Sequence, residues 1–389
     1  MISVSRLLCD GHGPGDSLRY GESHTGAIKV SSNAPVVVWN CTGRCNLHCV
    51  HCYASAGENK SGEEMDTASS KAFISDIAAF DVPVILFSGG EPLLRDDLPE
   101  LARFAVESGL RVALSSNGTL ITEDIARQLS EIGFAEVGIS LDGTEQINDR
   151  FRGRQGAYRA ALEGIRNCIK NGLRVSLRFT ITRFNYQEIP AMFRLAEQEG
   201  IERLCFYHLA YSGRGSTLVQ DDIDHAQTRQ AVDTICELTE DLYRRSLPKE
   251  VLTVANHADG PYLYLKLREK DTERARFVYE LLKTNGGNNS GIKIGSVDPE
   301  GNVHPDQFWW HYSAGNVLER SFGEIWTNTS DSLMQGLKDR QKLLKGRCGS
   351  CQYLDICNGN LRERAEAVHN DVWAEDPACY LTDEEIGIK

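Results

Sequence analysis

The sequence predicts an α/β protein in which a partial (β/α)6 barrel of parallel strands is followed by a small C-terminal domain. Two observations support this: short apolar runs alternate with helix-like segments from residue 36 to residue 215, and cysteines gather near both ends of the chain. A chain of 389 residues also exceeds the size at which one hydrophobic core stops growing. We expect an N-terminal arm, the barrel, a helical bridging region and a C-terminal domain, at 1–34, 35–215, 216–290 and 291–389.

Composition excludes several kinds of partner. The net charge of −13 argues against binding to nucleic acid or to an anionic membrane surface. No stretch approaches the ~20 apolar residues of a membrane span. The 12 cysteines, grouped with metal-ligand spacing, indicate a reducing compartment and metal chemistry rather than disulfides. A cytoplasmic location is therefore expected.

The N-terminal arm is expected to be irregular, because turn-forming residues gather at 11–15 and at 31–33. Its glycines are not followed by the Lys-Ser/Thr pair of a phosphate-binding loop, so they predict no nucleotide site. The first eight residues contain too short an apolar run for a signal peptide.

In the barrel, the apolar runs are predicted to be strands and the segments between them helices. Parallel strands joined by helices form right-handed crossover units, so six runs predict a partial barrel. The predicted strands cover 36–39, 84–87, 112–114, 135–139, 174–181 and 203–208, and the helices 69–79, 98–108, 122–132, 157–171 and 186–199.

Chemically distinctive residues follow each of the first four predicted strands. In chain order they are the triplet Cys45, Cys49 and Cys52, then Gly89-Gly90-Glu91-Pro92, then Ser115-Ser116-Asn117-Gly118, and then Ser140-Leu141-Asp142-Gly143. In βα barrels, the loops that leave the carboxyl ends of the strands build the active site. We therefore expect these four loops to meet at one mouth.

The cysteine triplet has the spacing of a metal site with one open position. A cubane iron–sulfur cluster takes four cysteines, so three thiolates leave one iron open. A zinc knuckle or three unrelated thiols would also give three cysteines. Cys41, Cys45 and Cys49 form an alternative set, with three residues between neighbouring cysteines. The spacing of three and then two residues selects Cys45, Cys49 and Cys52 instead. Other cysteines in helix or strand patterns, at 168, 205 and 236, are predicted to be buried thiols.

The triplet and the following Tyr53 resemble the signature of the radical S-adenosylmethionine (SAM) superfamily, CxxxCxxC followed by an aromatic residue. This resemblance implies that a [4Fe-4S] cluster at the three cysteines chelates SAM through its open iron. It also implies that one electron from the cluster cleaves SAM to a 5′-deoxyadenosyl radical, which makes the three cysteines catalytic as well as metal-binding.

The same resemblance assigns further residues to the SAM pocket. Gly89, Gly90 and Glu91 resemble the family's GGE motif, in which backbone amides and the carboxylate hold the amino group of SAM. The other implied contacts are Ser116 and Asn117 for the ribose hydroxyls, Ser140 and Arg178 for the methionine portion, and Arg214 in a further pocket loop.

Beyond the barrel, 216–285 is predicted to be helical, and a hairpin is predicted from 292–297 and residue 303 with its turn at 298–301. Four cysteines then follow with the spacing CxxC-x5-C-x21-C, and they suit either a second iron–sulfur cluster or structural zinc. They are Cys348, Cys351, Cys357 and Cys379.

This C-terminal group resembles the auxiliary-cluster domain, called SPASM or twitch, that follows many radical SAM barrels. Many of these domains carry Pro-Cys where this chain has Pro305-Asp306. We therefore predict one auxiliary [4Fe-4S] cluster rather than two.

Several longer stretches resemble the didecarboxysiroheme deacetylases of the siroheme-dependent haem pathway. They are 1–9, 18–21, 35–54, 301–309 and 357–382. This implies an iron-tetrapyrrole substrate, removal of two acetate side chains to give Fe-coproporphyrin III, and a low-potential electron donor of the flavodoxin or ferredoxin type. Related enzymes make haem d1 or decarboxylate coproporphyrin. A peptide-maturing enzyme of the same superfamily and a non-catalytic iron–sulfur or zinc scaffold are the alternatives.

A flat macrocycle with carboxylates calls for arginines and apolar surface. Candidates are Arg152, Arg154, Arg183 and the aromatic run at 308–311, although each also suits a solvated loop or a hairpin core. Four histidines are candidate ligands for the substrate iron, although an ordinary hydrogen-bonded role is the alternative for each of them: His208, His257, His304 and His311.

Overall fold

The protein is described by a computed structural model that covers residues 1–21, 34–58, 63–328 and 330–388. One continuous sheet organises these residues, with the strand order β1-β8-β7-β6-β5-β4-β3-β2-β9-β10-β11. Its strands are Ile2–Ser3 (β1), Val36–Asn40 (β2), Val84–Ser88 (β3), Arg111–Ser116 (β4), Glu136–Ser140 (β5), Val175–Ile181 (β6), Arg203–His208 (β7), Glu250–Val254 (β8), Ile294–Val297 (β9), Asn302–His304 (β10) and Gly315–Asn316 (β11).

Helices connect the strands and cover the sheet. They are Val4–Cys9 (α1), Asp16–Tyr20 (α2), Thr67–Ala79 (α3), Leu98–Glu107 (α4), Glu123–Ile132 (α5), Glu145–Arg152 (α6), Ala157–Lys170 (α7), Ile189–Gln198 (α8), His225–Arg244 (α9), Asp259–Lys270 (α10), Thr272–Asn285 (α11), Phe322–Thr327 (α12), Ser332–Lys338 (α13), Gly346–Ser350 (α14), Leu354–Cys357 (α15) and Arg362–His369 (α16). Short 3-10 turns lie at Pro92–Leu94, Tyr186–Glu188, Gly213–Asp221 and Arg340–Lys342. No helix in the described ranges is long and apolar enough to cross a membrane.

Strands β2 to β8 are parallel and lie side by side in chain order, as the βα repeat predicts. The sequence sets the local boundaries of the helices between them. In α5, for example, the Thr122 hydroxyl accepts a hydrogen bond from Ile125 N, and the helix ends at Gly133, whose φ of 94° favours glycine. The helix then buries Leu129 and Ile132 against the sheet. The six predicted strands are confirmed.

The structure corrects two expectations. Residues 1–21 are not irregular: β1 pairs antiparallel with β8, and α1 and α2 pack beside it because Ile2, Leu7 and Tyr20 are buried. The turn prediction at 31–33 lies outside the described residues. In addition, β8 lies in the region predicted to be helical, where a run of only five residues beginning with Glu250 carried no clear strand signal.

The predicted hairpin is confirmed, since β9 and β10 pair antiparallel around a turn at 298–301. β9 also pairs parallel with β2, so the hairpin joins the C-terminal part of the chain directly to the barrel sheet. The sheet thus runs through all four predicted segments, and the division at 34, 215 and 290 stays a prediction.

Candidate active site

The loops that follow β2 and β3 are hydrogen-bonded to each other through their main chains. Gly90 N donates to Thr42 O at 2.7 Å, and Glu91 N donates to Arg44 O at 2.8 Å. A Cβ at Gly90 would clash with the carbonyl oxygen of Arg44. The absence of a side chain at Gly90 therefore lets the backbone that leads into the cysteine triplet pack against this loop, and the contact of Gly89 and Gly90 with SAM stays a prediction.

The triplet cysteines lie in an apolar pocket formed by Leu47, Ala54, Ala56 and Ala157. Cys45 and Cys49 are buried, and Cys52 is partly buried. Leu47 N donates to Cys45 Sγ at 3.4 Å. Burial raises the pKa of Cys45 to about 12, so this site favours a thiolate only when a positive metal centre compensates the charge. Three thiols in apolar surroundings are suited to bind an iron–sulfur cluster.

Cys41 does not join the triplet. Its thiol is fully buried and donates to Ser88 O at 3.3 Å, at the end of the neighbouring strand β3. The thiols of Cys168, Cys205 and Cys236 are buried as predicted.

Glu91 is fully buried and ties the second mouth loop to the third. Its carboxylate accepts hydrogen bonds from Ser116 Oγ and from Asn117 N, each at 2.8 Å. Burial raises the pKa of Glu91 to about 7. No cation among the described residues pairs with the carboxylate to offset this increase. A buried carboxylate without a counter-charge fits the ammonium group of a ligand.

The predicted ribose contacts are engaged with the protein itself. Ser116 Oγ donates to Glu91 and accepts from Gly118 N at 2.9 Å. Asn117 Nδ2 donates to Asn46 Oδ1 at 2.8 Å and lies 3.9 Å from Cys45 Sγ. Asn117 thus lies directly beside the cysteine triplet, and its side chain orients the start of the cysteine loop.

Arg178 and Ser140 are register partners on β6 and β5. One guanidinium nitrogen of Arg178 donates to Ser115 Oγ at 2.6 Å. Its Nε atom is buried and has no hydrogen-bond partner, and no described carboxylate forms an ion pair with this arginine. A buried hydrogen-bond donor without a partner, on a cationic side chain, is suited to bind the carboxylate of a ligand.

Arg214 and Tyr53 brace the cysteine loop. Arg214 Nε donates to Cys49 O at 2.7 Å, and its NH1 group donates to Ala56 O at 2.8 Å. The Tyr53 hydroxyl donates to Asn40 Oδ1 at 3.1 Å, and its ring meets the ring of Phe308 edge to face. Tyr53 therefore links the cysteine loop to the segment that follows the hairpin.

The four C-terminal cysteines line one cavity together with Pro261, Gly359, Asn360 and Leu381. Cys348 and Cys357 are buried, and Cys351 and Cys379 are partly buried. The structure therefore brings together residues that are 31 positions apart in sequence, from Cys348 to Cys379.

Asp306 does not line this cavity. Its carboxylate is buried and accepts hydrogen bonds from Ser290 Oγ and from Phe308 N, the latter at 2.8 Å. Burial raises the pKa of Asp306. The side chain thus organises the turn that carries Phe308.

The arginines and histidines predicted for the substrate lie in different environments. Arg152 is buried beside Asp142, Arg154 is exposed, and Arg183 pairs with Asp221 at the surface. Three of the four histidines are engaged: His208 by Asp259, His304 by Tyr312 O and Asp298, and His311 by Glu366. His257 is buried, and its Nδ1 atom has no hydrogen-bond partner in the described chain.

Sequence reasoning missed two pairs near the site. One is Asp142 with Arg152, although both residues lay in stretches that the sequence had singled out. The other is Arg364 with Asp376, a fully buried ion pair beside the C-terminal cysteines. The only signal for the second pair was the position of Asp376 three residues before Cys379.

Comparison with known proteins identifies the family. The Radical SAM superfamily model matches residues 39–196. Fe-coproporphyrin III synthase of Methanosarcina barkeri is 55% identical over 397 residues, covering 100% of this chain and 99% of that protein. Pre-heme d1 synthase of Dinoroseobacter shibae is 43% identical over 356 residues, covering 91% of this chain and 88% of that protein.

The fold has solved counterparts. Streptococcus suis SuiB bound to S-adenosylmethionine matches with a TM-score of 0.72 at 16% identity, covering 90% of this chain and 78% of that one. At this identity the likeness shows the fold alone. The predicted α/β radical SAM fold is confirmed. The chain is a radical SAM enzyme and belongs to the family of Fe-coproporphyrin III synthase.

Proposed function

We propose that this enzyme acts in haem biosynthesis and removes the two acetate side chains of didecarboxysiroheme, leaving methyl groups and giving Fe-coproporphyrin III. The observation that carries the proposal is the 55% identity, over the whole chain, to a protein named Fe-coproporphyrin III synthase. Relatives named AdoMet-dependent heme synthase, such as one that is 32% identical over 356 residues, support the same class of substrate.

In this proposal, Cys45, Cys49 and Cys52 hold a [4Fe-4S] cluster that supplies the electron for cleaving SAM to the 5′-deoxyadenosyl radical. Glu91 receives the amino group of SAM, and Arg178 receives its carboxylate. Glu91 suits its role because it is a buried carboxylate with no cation paired to it among the described residues, and Arg178 suits its role because its buried Nε atom has no hydrogen-bond partner there. Ser140, the register partner of Arg178, and the backbone of the Gly89-Gly90 loop complete the proposed methionine pocket.

A small buried cluster next to Tyr53, the residue that follows Cys52, forms an apolar wall. It consists of Ala210, Val254, Ala255, Phe308 and Leu361, against which the rings of Tyr53 and Tyr207 pack. We assign this wall to the macrocycle face, because a flat conjugated ring is bound by aromatic and aliphatic contact.

We assign the C-terminal cavity to one auxiliary [4Fe-4S] cluster held by Cys348, Cys351, Cys357 and Cys379. The common lining by all four thiols supports this assignment. The engagement of Asp306 by Ser290 and Phe308, away from that cavity, supports one auxiliary cluster rather than two. Iron and sulfide analysis of a Cys348→Ala/Cys351→Ala double variant tests it. We expect loss of about half the iron, whereas unchanged iron with loss of zinc would contradict it.

The electron donor is proposed to be a low-potential flavodoxin or ferredoxin. A groove of about 660 Å³ runs beside the cysteine loop, and its charged lining residues are Glu58, Arg154 and Arg214. Neither arginine has a carboxylate partner among the residues that the structure describes. The two arginines outnumber the single carboxylate of the groove, and this local excess of positive charge suits an acidic carrier in spite of the net charge of −13. A reducing cytoplasm suits this chemistry.

The decisive experiment supplies didecarboxysiroheme, SAM and dithionite to the anaerobically reconstituted enzyme. We expect a product with the mass of Fe-coproporphyrin III, together with 5′-deoxyadenosine, and neither from the Cys45→Ala variant. Formation of 5′-deoxyadenosine without any change in the mass of the tetrapyrrole would reject the substrate assignment. A tetrapyrrole product that retains part of the side chains would favour the pre-heme d1 type of reaction instead.

A further inference from the structure

Arg152 is the last residue of α6, and its side chain is buried in the protein. It is only 7% exposed. One guanidinium nitrogen, NH1, donates to Cys49 Sγ at 3.6 Å, and the other, NH2, lies 2.5 Å from Asp142 Oδ2. The guanidinium thus bridges a buried carboxylate and one sulfur of the cysteine triplet.

Strand β6 and the loop that follows it hold Asp142 in place beside Arg152. Its Oδ1 atom accepts a hydrogen bond from Thr180 N at 2.9 Å, and its backbone carbonyl accepts one from Asn185 Nδ2 at 3.0 Å. The Asp142 side chain is fully buried, and His51 Nε2 lies 3.4 Å from Oδ2. The carboxylate therefore orients the guanidinium toward Cys49.

The main chain fixes the separation between Arg152 and Cys49. His48 N donates to Arg152 O at 3.2 Å, and Val50 N donates to Phe151 O at 2.9 Å, so the residues on both sides of Cys49 are bonded to the end of α6. Gly153, with a φ of 68°, permits this approach, since a Cβ there would lie 2.6 Å from His48 O. These backbone contacts thus hold Arg152 at hydrogen-bonding distance from the sulfur of Cys49.

Cys45 and Cys49 differ in the donors that their sulfur atoms receive. Cys45 Sγ receives neutral donors, Leu47 N and Asn117 Nδ2. Cys49 Sγ receives the cationic guanidinium. A charge-assisted donor is roughly twice as strong as a neutral one, and its effect is larger in a buried site of low dielectric constant.

We propose that Arg152, oriented by Asp142, is a positioning residue that raises the reduction potential of the cluster bound at the triplet. The inference rests on the proposed function. Reduction adds one electron, and hence one negative charge, to the cluster, with the electron coming from the external donor and no bond forming or breaking in the protein. A guanidinium at Cys49 Sγ stabilises that added charge. Arg152 is therefore withdrawn from the set of substrate-binding arginines.

The test is a redox titration of the reconstituted full-length enzyme, followed by electron paramagnetic resonance. The signal that changes on addition of SAM reports the triplet cluster, and the C-terminal cluster in the same sample is the internal reference. The variants are Arg152→Lys, Arg152→Gln and Arg152→Met. Arg150→Gln, two residues away on the same helix and exposed, is the matched control.

We expect the midpoint potential of the triplet cluster to become more negative from wild type to Lys, Gln and Met, with the reference signal unchanged. Formation of 5′-deoxyadenosine should fall with dithionite and recover with the stronger reductant Ti(III) citrate. If the Met variant does not bind iron, the Lys and Gln variants carry the comparison. Equal potentials in wild type and every iron-loaded Arg152 variant would overturn the proposal. A wild-type protein without a redox-active cluster at the triplet would instead overturn the proposed function.

Discussion

The guanidinium of Arg364 donates to both carboxylate oxygens of Asp376, each at 2.8 Å, and neither side chain is exposed. Arg364 also donates to Leu209 O and Ala255 O, each at 2.9 Å, just beyond the ends of β7 and β8. Asp376 lies three residues before Cys379 and accepts from Ala378 N. One ion pair therefore attaches the C-terminal cysteine group to the barrel mouth.

Replacing Arg364 with methionine should leave the carboxylate of Asp376 buried and unpaired. Removing one partner of such a pair costs about 3–5 kcal/mol. We expect a lower midpoint of urea unfolding and loss of iron from the C-terminal group before the triplet. Arg166→Gln, which removes a surface pair with Glu199, is the control and should cost less than about 1 kcal/mol. Equal midpoints in the two variants would contradict the role of the buried pair.

Arg178→Met should weaken SAM binding by roughly ten- to hundredfold, because it removes a charge-assisted hydrogen bond to the carboxylate of SAM. Binding can be measured on the reconstituted enzyme by equilibrium dialysis under anaerobic conditions. Arg127→Met, at an exposed pair with Asp124, is the matched control and should leave the affinity unchanged. An unaltered SAM affinity in Arg178→Met would remove Arg178 from the pocket.

Glu91 should make SAM binding depend on pH. Burial raises the pKa of Glu91 to about 7 in the folded chain from an ordinary value of 4.5, so without SAM the carboxyl group is partly protonated near neutrality. A cationic amine binds the ionised form, so we expect SAM affinity to increase from pH 6 to pH 8. The Glu91→Gln variant should bind more weakly and lose this dependence. A pH dependence that persists in Glu91→Gln would assign it to another group.

The raised pKa of Glu91 also predicts the sign of a stability change. Because the folded state holds the proton more tightly than the unfolded state, the contribution is fully present below about pH 4.5 and is lost as pH rises through about 7. In the absence of SAM, wild type should therefore lose stability over this window relative to Glu91→Gln. Comparison of urea unfolding midpoints at pH 5 and pH 7.5 measures this difference, and parallel profiles would contradict it.

Arg154→Glu should slow electron transfer from an acidic flavodoxin while leaving reduction by dithionite unchanged. The exposed guanidinium of Arg154 lines the groove beside the cysteine loop, so charge reversal repels an acidic carrier. Stopped-flow reduction should show a several-fold lower rate at low ionic strength, with the difference shrinking as salt screens the charges. Arg103→Glu, exposed on α4, is the control. Equal rates in both variants would place the docking surface elsewhere.

The sequence by itself determined the features that depend on short separations along the chain. The spacing of Cys45, Cys49 and Cys52, the polar loops after β2 to β5, and the hairpin of β9 and β10 all follow from local periodicity and turn residues. These patterns can be recognised in the sequence because the residues concerned lie close together along the chain.

Only the tertiary structure decided how distant residues meet. It joined β1 to β8, which lie about 250 residues apart in the chain, and it buried Arg152 beside Asp142 and Cys49. It also gave Gly90 a packing role against the Arg44 carbonyl. The burial and charge partners of a side chain depend on which strands become neighbours in the sheet, and that arrangement minimises the free energy of the whole chain rather than of any local segment.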